Sequence, residues 1–184
     1  MEDRGDGVKI PVGIHGDVNF LGLKQDQSWW DILFVKPTTR QTIHKRLFQP
    51  KGEYVQPDET PQDALERDMD NNLKHVVHLL SEFLGKENTA TLEAPDYDAF
   101  MEMAAEYLDQ FIGERVWLKV IPDKKGKYPD LGRYPNYVER FYDGEETKLK
   151  FSKKELEAVE KFYQADNATD NASAPGPATD KGLA

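Results

Sequence analysis

The 184-residue sequence contains no cysteine. This excludes disulfide bonds, thiolate metal sites and a cysteine nucleophile, so the chain has no need of an oxidising compartment. Long apolar runs are also missing, because nowhere do about eighteen apolar residues follow one another. The first seven residues lack the basic and apolar regions of a signal peptide. We therefore expect a cytoplasmic protein that is not secreted by that route and does not cross a membrane.

Familiar catalytic and cofactor motifs are missing as well. The sequence has no nucleophile elbow, Walker loop, dinucleotide fingerprint or His-Glu-x-x-His motif. His75, His78 and Glu82 could share one face of a helix, but that face is opposite the apolar stripe, so exposure to solvent explains them more simply than a metal site. We expect no enzymatic activity, no cofactor and no metal. The least favoured alternative is a nuclease-like enzyme whose carboxylates hold Mg²⁺.

Basic residues are outnumbered, with 24 Lys and Arg against 34 Asp and Glu and a net charge of −10. Such a charge seems to argue against a nucleic-acid partner, because binding a polyanion normally depends on cations. The charge is, however, unevenly distributed along the chain. Residues 51–113 carry a net charge of −11, whereas residues 1–50, 114–151 and 152–184 carry +1, +2 and −2. The acidity is therefore concentrated in one central block.

Strand patterns lie in the two weakly basic blocks. Residues 8–15 and 18–23 predict one long bent strand or two short ones, and residues 29–36 and 40–48 predict a hairpin. The adjacent Trp29 and Trp30 point to opposite sides of any strand, so at least one belongs to the core. Residues 115–121 alternate most clearly. Their pattern buries Val116, Leu118 and Val120 and turns Arg115, Trp117 and Lys119 outward.

The acidic block has helical periodicity. One helix is predicted from the N-cap Thr60 to Gly85, and a second from near Pro95-Asp96 to Gly113. A third begins with the capping-box spacing of Ser152 and Glu155 and ends near residue 163. Strands on both sides of a helical insertion at about 60–113 must pair with each other, because neither set forms a stable sheet alone.

These patterns predict an α+β fold, consisting of a small antiparallel OB-like barrel or curved sheet with a two-helix acidic insertion and a C-terminal helix. We expect a flexible N-terminus at residues 1–7, a single domain at 8–163 and a disordered tail at 164–184. The tail is rich in Ala, Asn, Asp, Gly and Pro and has no aromatic residue.

Cations and aromatic residues are interleaved between residues 115 and 140, a segment that contains seven basic and three acidic residues. This mixture is typical of proteins that bind single-stranded nucleic acid, because cations follow the phosphates while aromatic faces stack on bases. The alternative is a solvated lysine turn above tyrosines that pack in the core. The candidate binding residues are Arg115, Trp117, Lys119, Lys124, Lys125, Lys127, Tyr128, Arg133, Tyr134 and Tyr137, and the predicted hairpin adds Arg40, His44 and Arg46.

A family resemblance accompanies these residues. The opening Pro11-x-Gly13-Ile14-His15 strand, the Trp/Phe-rich hairpin and the run from Gly113 through Val116-x-Leu118-Lys119-Val120 to Lys124-Lys125-Gly126-x-Tyr128-Pro129-x-Leu131-x-Arg133-Tyr134 resemble phage-encoded single-stranded DNA-binding replication proteins with an OB-like fold. The resemblance is one of pattern and covers about residues 8–141. It implies a protein that coats single-stranded DNA during phage DNA replication or recombination in the host cytoplasm, often as a homo-oligomer.

The sequence departs from that family in its large acidic insertion and in a tail without an acidic-hydrophobic tip. The acidic helices could dock a basic replication protein such as a polymerase or helicase. An alternative function follows from the same feature. The chain could be a protein-interaction module whose acidic helices bind a basic partner, with the basic-aromatic strand as scaffold and no nucleic-acid binding.

Overall fold

The computed structural model describes residues 8–173, with side chains as far as residue 165. It confirms the α+β class, with a curved antiparallel sheet of six strands and four helices. In chain order the elements are β1 (Gly13–Asp26), β2 (Trp29–Val35), β3 (Thr42–Leu47), α1 (Pro61–Leu84), α2 (Lys86–Ala90), α3 (Tyr97–Asp109), β4 (Arg115–Pro122), β5 (Pro129–Asp130), β6 (Val138–Arg140) and α4 (Lys153–Ser173).

The sheet has the order β3-β2-β1-β4-β5, and β6 pairs with β4 beside β5. The long strand β1 bends as it pairs first with β4 and then with β2. Its register shifts between His15 and Val18 and again between Phe20 and Gly22, and such irregularities increase the local twist of a sheet. As predicted, β4 pairs with β1 across the helical insertion, and β2 and β3 form a hairpin.

The curved sheet does not close into a barrel. At its open edge, the backbone of Val8 and Ile10 hydrogen-bonds to Thr42, the first residue of β3. Beyond Thr42, the outward-facing backbone groups of β3 have no backbone partner among the described residues. An open gap, which we call the seam, therefore lies between β3 and residues 128–134.

Helix α1 starts as predicted, with a capping box between Thr60 and Asp63. The prediction that His75, His78 and Glu82 face solvent is wrong. His75 Nδ1 lies 2.9 Å from the Tyr137 hydroxyl, His78 Nε2 lies 2.9 Å from the Val138 carbonyl oxygen, and the Arg140 backbone N–H donates to Glu82 over 2.9 Å. His78 and Glu82 thereby satisfy backbone groups on the edge of β6 that does not pair with β4, and His75 contacts the side chain of Tyr137 just before that strand.

The insertion holds a further short helix, α2, between the two predicted ones. Helix α3 has Asp96 as its N-cap, which agrees with the start predicted near Pro95-Asp96. Apolar side chains of α1 and α3 pack on the sheet in one core that includes Val76, Leu80 and Leu108.

Helix α4 starts at the predicted capping box, where Ser152 and Glu155 exchange hydrogen bonds. It continues to Ser173, ten residues beyond the predicted end near residue 163, so the expected disordered tail is helical over 164–173. This extension contains three alanines but also two Asp, two Asn, one Thr and one Ser, which are weak helix formers, so composition does not predict it. The predicted flexible residues 1–7 and the remainder of the tail lie outside the described residues.

Within residues 8–173, none of the helices combines the length and the apolar character that crossing a bilayer demands.

Candidate nucleic-acid interface

The seam contains a cavity of about 250 Å³. Its walls come from three segments that are distant in sequence. They consist of Lys9 before β1, the β3 residues Ile43, His44, Lys45 and Arg46 with Phe48 beyond them, and Pro129 with Asp130. Lysine side chains bridge the gap, because Lys45 Nζ donates to the Gly132 carbonyl oxygen over 3.0 Å and Lys9 Nζ to that of Pro129 over 3.5 Å. The fold thus brings both predicted basic-aromatic regions to one gap.

The loop between β4 and β5 is organised by a single carboxylate. Asp123 Oδ1 accepts the backbone N–H of Lys127 over 2.9 Å and that of Tyr128 over 3.4 Å. Partial burial raises the pKa of Asp123, but the surrounding backbone N–H groups outweigh this effect and hold its pKa below the ordinary value. The loop backbone is therefore ordered by an acidic residue that faces inward.

The cations of this loop, and Arg133 just after β5, remain available to a ligand. Lys124, Lys125, Lys127 and Arg133 are exposed, and none of them forms an ion pair with a described residue. The acid of β5, Asp130, uses a carboxylate oxygen to accept the Leu131 backbone N–H over 2.9 Å. Four cations against Asp123 and Asp130 leave residues 123–134 with a net charge of +2.

Aromatic side chains stand beside these cations. Tyr128 is 60% and Tyr134 62% exposed. The Lys9 ammonium lies 5.8 Å from the centre of the Tyr128 ring, and the Arg133 guanidinium lies 5.8 Å from that of Tyr134. Ring faces next to cations can stack on bases while the cations contact phosphates.

The hairpin residues contribute less charge than the sequence predicts. Arg46 forms a bidentate ion pair with the buried Asp31, with distances of 2.9 Å and 3.0 Å, and its guanidinium lies 4.3 Å from the centre of the Trp29 ring. Burial lowers the pKa of His44, opposed by Asp31 and reinforced by Arg46. His44 therefore lines the seam as a neutral ring, and the charge of Arg46 is compensated.

Arg40 lies in the exposed turn between β2 and β3, where its φ of 63° is in the left-handed region. Its backbone N–H closes the turn on the Lys36 carbonyl oxygen over 2.8 Å. No described contact joins its side chain to the seam.

The predicted outward face of β4 is covered at Trp117 and Lys119, whereas Arg115 remains exposed. This corrects the expectation of an exposed Trp117 between two cations. Val116, Leu118 and Val120 are buried as predicted. Trp117, however, packs on Phe141, with ring centres 5.5 Å apart, and lies so close to Gly16 that a Cβ there would be 2.5 Å from the indole. Phe141 also carries the Arg115 guanidinium 3.8 Å from its ring centre.

Lys119 on the same face is 3% exposed. Its ammonium donates to Glu155 of α4 over 2.9 Å and to the Lys150 carbonyl oxygen over 3.1 Å. The prediction that Lys119 contacts a phosphate is therefore wrong, because helix α4 covers it and supplies its counter-ion.

Tyr137 is also misassigned, because it is wholly buried. Burial raises the pKa of its hydroxyl above the ordinary value. The ring stacks against His75, with centres 5.6 Å apart, so Tyr137 belongs to the core between α1 and β6.

The sequence patterns do not indicate two further residues of the seam, Lys9 and Phe48. Lys9 precedes the first strand in an apolar context, and Phe48 follows the last residue of β3. Because Phe48 lies beyond the last residue of β3, strand alternation does not predict which way its side chain points. Its 67% exposure in the structure identifies it as a residue of the seam.

No family model matches this chain, and comparisons with curated proteins and with solved structures give no significant match.

Proposed function

We propose that this protein binds single-stranded DNA along the seam, without strong sequence preference, and coats it during phage DNA replication or recombination. One observation carries the proposal. Of the five most exposed large hydrophobic side chains among the described residues, four flank the seam, namely Val8, Phe48, Tyr128 and Tyr134. Exposed apolar groups scattered singly are ordinary, whereas a group of them on one surface indicates an interaction site.

The chemistry of the neighbouring side chains favours nucleic acid over an apolar ligand. Lys124, Lys125, Lys127 and Arg133 are exposed cations without described ion-pair partners, and two exposed tyrosines, Tyr128 and Tyr134, lie in the same short segment, residues 124–134. Affinity would come from phosphate neutralisation, which depends on salt, and from base stacking, which does not. The protein would act as a binding protein in the host cytoplasm and would catalyse no reaction.

The test is a fluorescence anisotropy titration with labelled oligo-dT at two salt concentrations. We expect Tyr128→Ala or Tyr134→Ala to weaken binding about fivefold or more, since stacking contributes roughly 1–3 kcal/mol per base. The Lys124→Glu/Lys125→Glu double variant should reduce the logarithmic salt slope by about 1.4, because each phosphate contact of a single strand contributes about 0.7.

Matched controls are available elsewhere on the surface. Tyr107 is a partly exposed tyrosine on α3, and Lys153 and Lys154 are adjacent exposed lysines on α4. Tyr107→Ala and Lys153→Glu/Lys154→Glu should leave affinity and salt slope nearly unchanged. If the protein fails to bind oligo-dT at low salt, or if the control variants weaken binding as much as the seam variants, the proposal is wrong.

The second candidate is a protein-interaction module. Glu102 and Glu106 are exposed one turn apart on α3, and Asp98 is exposed one turn before them. This acidic face suits a basic partner such as a polymerase or helicase. A protein that binds such a partner but no oligonucleotide would favour this second function.

A further inference from the structure

The segment between β3 and α1, residues 48–60, is held against α1 in a way that the sequence patterns do not indicate. Its backbone is fastened to α1 by side chains of that helix. Asn72 donates to the Phe48 carbonyl oxygen over 2.8 Å, Arg67 donates to the Tyr54 carbonyl oxygen over 2.7 Å, and the Gly52 backbone N–H donates to Asp68 over 3.0 Å. The segment is therefore a positioned loop rather than a loose connection.

Gly52 shows how closely the loop approaches the helix. Its φ is 66°, a conformation that favours glycine, and a Cβ at this position would lie 2.9 Å from the Leu65 backbone nitrogen and 2.9 Å from the Pro61 carbonyl oxygen. At the end of the loop, Glu59 accepts the Gln56 backbone N–H over 2.9 Å and also pairs with Arg67.

The aromatic side chains of this fixed backbone nevertheless point into solvent. Tyr54 is 86% exposed, the highest value among the large hydrophobic side chains described, and Phe48 is 67% exposed. Neither ring contributes much buried area to the fold. A fixed backbone that presents rings to solvent is preorganised for a ligand, because little conformational entropy is lost when the ligand binds.

The loop is continuous with the seam. Phe48 lines the seam cavity and also a neighbouring cavity of about 310 Å³ that extends along Gln49 and Pro50 to Asn72 of α1. A third concave region, which contains both Phe48 and Tyr54, continues from there. Phe48 is thus the junction between the seam and Tyr54.

Charge near Tyr54 is weakly negative, in contrast to the seam, because one cation, Lys51, and two carboxylates, Glu53 and Asp68, line the concave region around it. Lys51 lies 3.8 Å from Glu53, and Asp68 accepts the Gly52 N–H. Binding at this end can therefore gain from ring faces but little from net positive charge.

We propose that Phe48 and Tyr54 form a second stacking platform, on which the bases of a single strand continue after it leaves the seam. This inference rests on the proposed function and extends the binding site beyond the seam. The seam holds the phosphates and bases of a short segment, and the platform holds bases of a longer strand chiefly by stacking. Single-strand sites on one small domain span roughly 4–16 nucleotides, which leaves room for both parts.

The experiment compares the full-length protein with Tyr54→Ala, Tyr54→Phe and Phe48→Ala by anisotropy, using labelled dT4, dT8, dT12 and dT16. We expect Tyr54→Ala to weaken dT16 binding about fivefold or more, to leave dT4 binding unchanged and to leave the salt slope unchanged. Tyr54→Phe keeps the ring and should bind like the parent protein. Phe48→Ala should weaken binding of both short and long oligonucleotides, because Phe48 borders both parts.

Thermal unfolding of each variant provides the folding control, and Tyr107→Ala is the matched surface control. Since Tyr54 is almost fully exposed, its removal should leave the melting temperature unchanged within about 1 °C. If Tyr128→Ala weakens dT4 binding but Tyr54→Ala has no effect at any length, the platform is disproved and the seam stands. If Tyr54→Ala weakens dT4 and dT16 equally, the extension is likewise disproved. If the parent protein binds no oligonucleotide, the proposed function itself fails.

Discussion

At the scale of single residues, neighbours decided the roles of chemically similar side chains. Lys119 and Lys124 are both lysines in the basic-aromatic region, yet Lys119 is buried against Glu155 and Lys124 is exposed in a loop. Tyr137 and Tyr134 differ in the same way, since one is wholly buried and the other 62% exposed. Residue type therefore indicates which chemistry is available, and the surrounding contacts determine whether a ligand can reach it.

His75 is the residue whose environment changes its titration most clearly. Burial first, and then the nearby Lys45 charge, lower its pKa from 6.5 to about 4. In the unfolded chain His75 takes up a proton near pH 6.5, whereas in the folded protein it stays neutral until about pH 4. Its contribution to stability is thus complete above pH 6.5 and declines as the pH falls through this window, by about 3 kcal/mol in total.

We therefore expect the free energy of unfolding of His75→Gln to depend less on pH between 6.5 and 4 than that of the parent protein. The measurement is urea denaturation of both proteins at several pH values across that range. The pKa values of His15 and His44 are also lowered, by burial in the first place, but both proteins share these contributions. Parallel pH dependences for the two proteins would show that His75 titrates normally in the fold.

At the scale of elements, the most informative contact is that between α1 and the short strand β6. An edge strand leaves backbone groups unpaired, and a buried unpaired group costs roughly 1–3 kcal/mol. Here His78 hydrogen-bonds to the Val138 carbonyl oxygen, and Glu82 accepts the Arg140 backbone N–H. A helical wheel shows that these side chains share one face but does not show that a strand lies against it.

Glu82 tests this account through a pair of substitutions. Glu82→Ala removes the acceptor for the part-buried Arg140 backbone N–H, and we expect a loss of about 1–2 kcal/mol in the free energy of unfolding. Glu82→Gln keeps an acceptor oxygen and should lose less than half as much. Amide hydrogen exchange gives an independent measurement, with the Arg140 amide exchanging faster in Glu82→Ala alone. Equal stabilities for the two variants would mean that the contact contributes nothing.

At the scale of the whole molecule, charge is segregated between the acidic helices and the cationic loop beside the seam. Glu102 and Glu106 of α3 are exposed, and no residue of α3 lines the cavities around the seam. Their repulsion of a polyanion therefore acts over distance and depends on the Debye length, which is about 30 Å at 0.01 M salt and about 8 Å at 0.15 M.

The Glu102→Gln/Glu106→Gln variant should consequently bind oligo-dT a few-fold more tightly at about 0.01 M salt and equally at about 0.15 M, as measured by anisotropy. A Tyr107→Ala variant, altered on the same helix without a change of charge, is the control. Weaker oligonucleotide binding by the double variant would show that the acidic face takes part in the site. Loss of affinity for a basic protein partner would instead identify this face as that partner's docking surface.

The sequence by itself determined the elements that depend on local interactions. Five features follow from local spacing, because each depends on residues a few positions apart. They are the N-cap Thr60, the capping box at Ser152, the start of α3 near Asp96, the β2–β3 hairpin and the inward face of β4. The α+β class and the pairing of strands across the insertion also followed, since isolated strand pairs are not stable.

Only the tertiary structure decided which surfaces remain open. Lys9, Phe48 and Tyr128 are separated by 39 and 80 residues, and only the curvature of the sheet places them around one seam. On the face of β4 that alternation alone leaves exposed, helix α4 covers Lys119 and Phe141 packs on Trp117. An outward direction in a strand does not exclude another layer above it. Local periodicity specifies the direction of a side chain, whereas its accessibility depends on long-range packing.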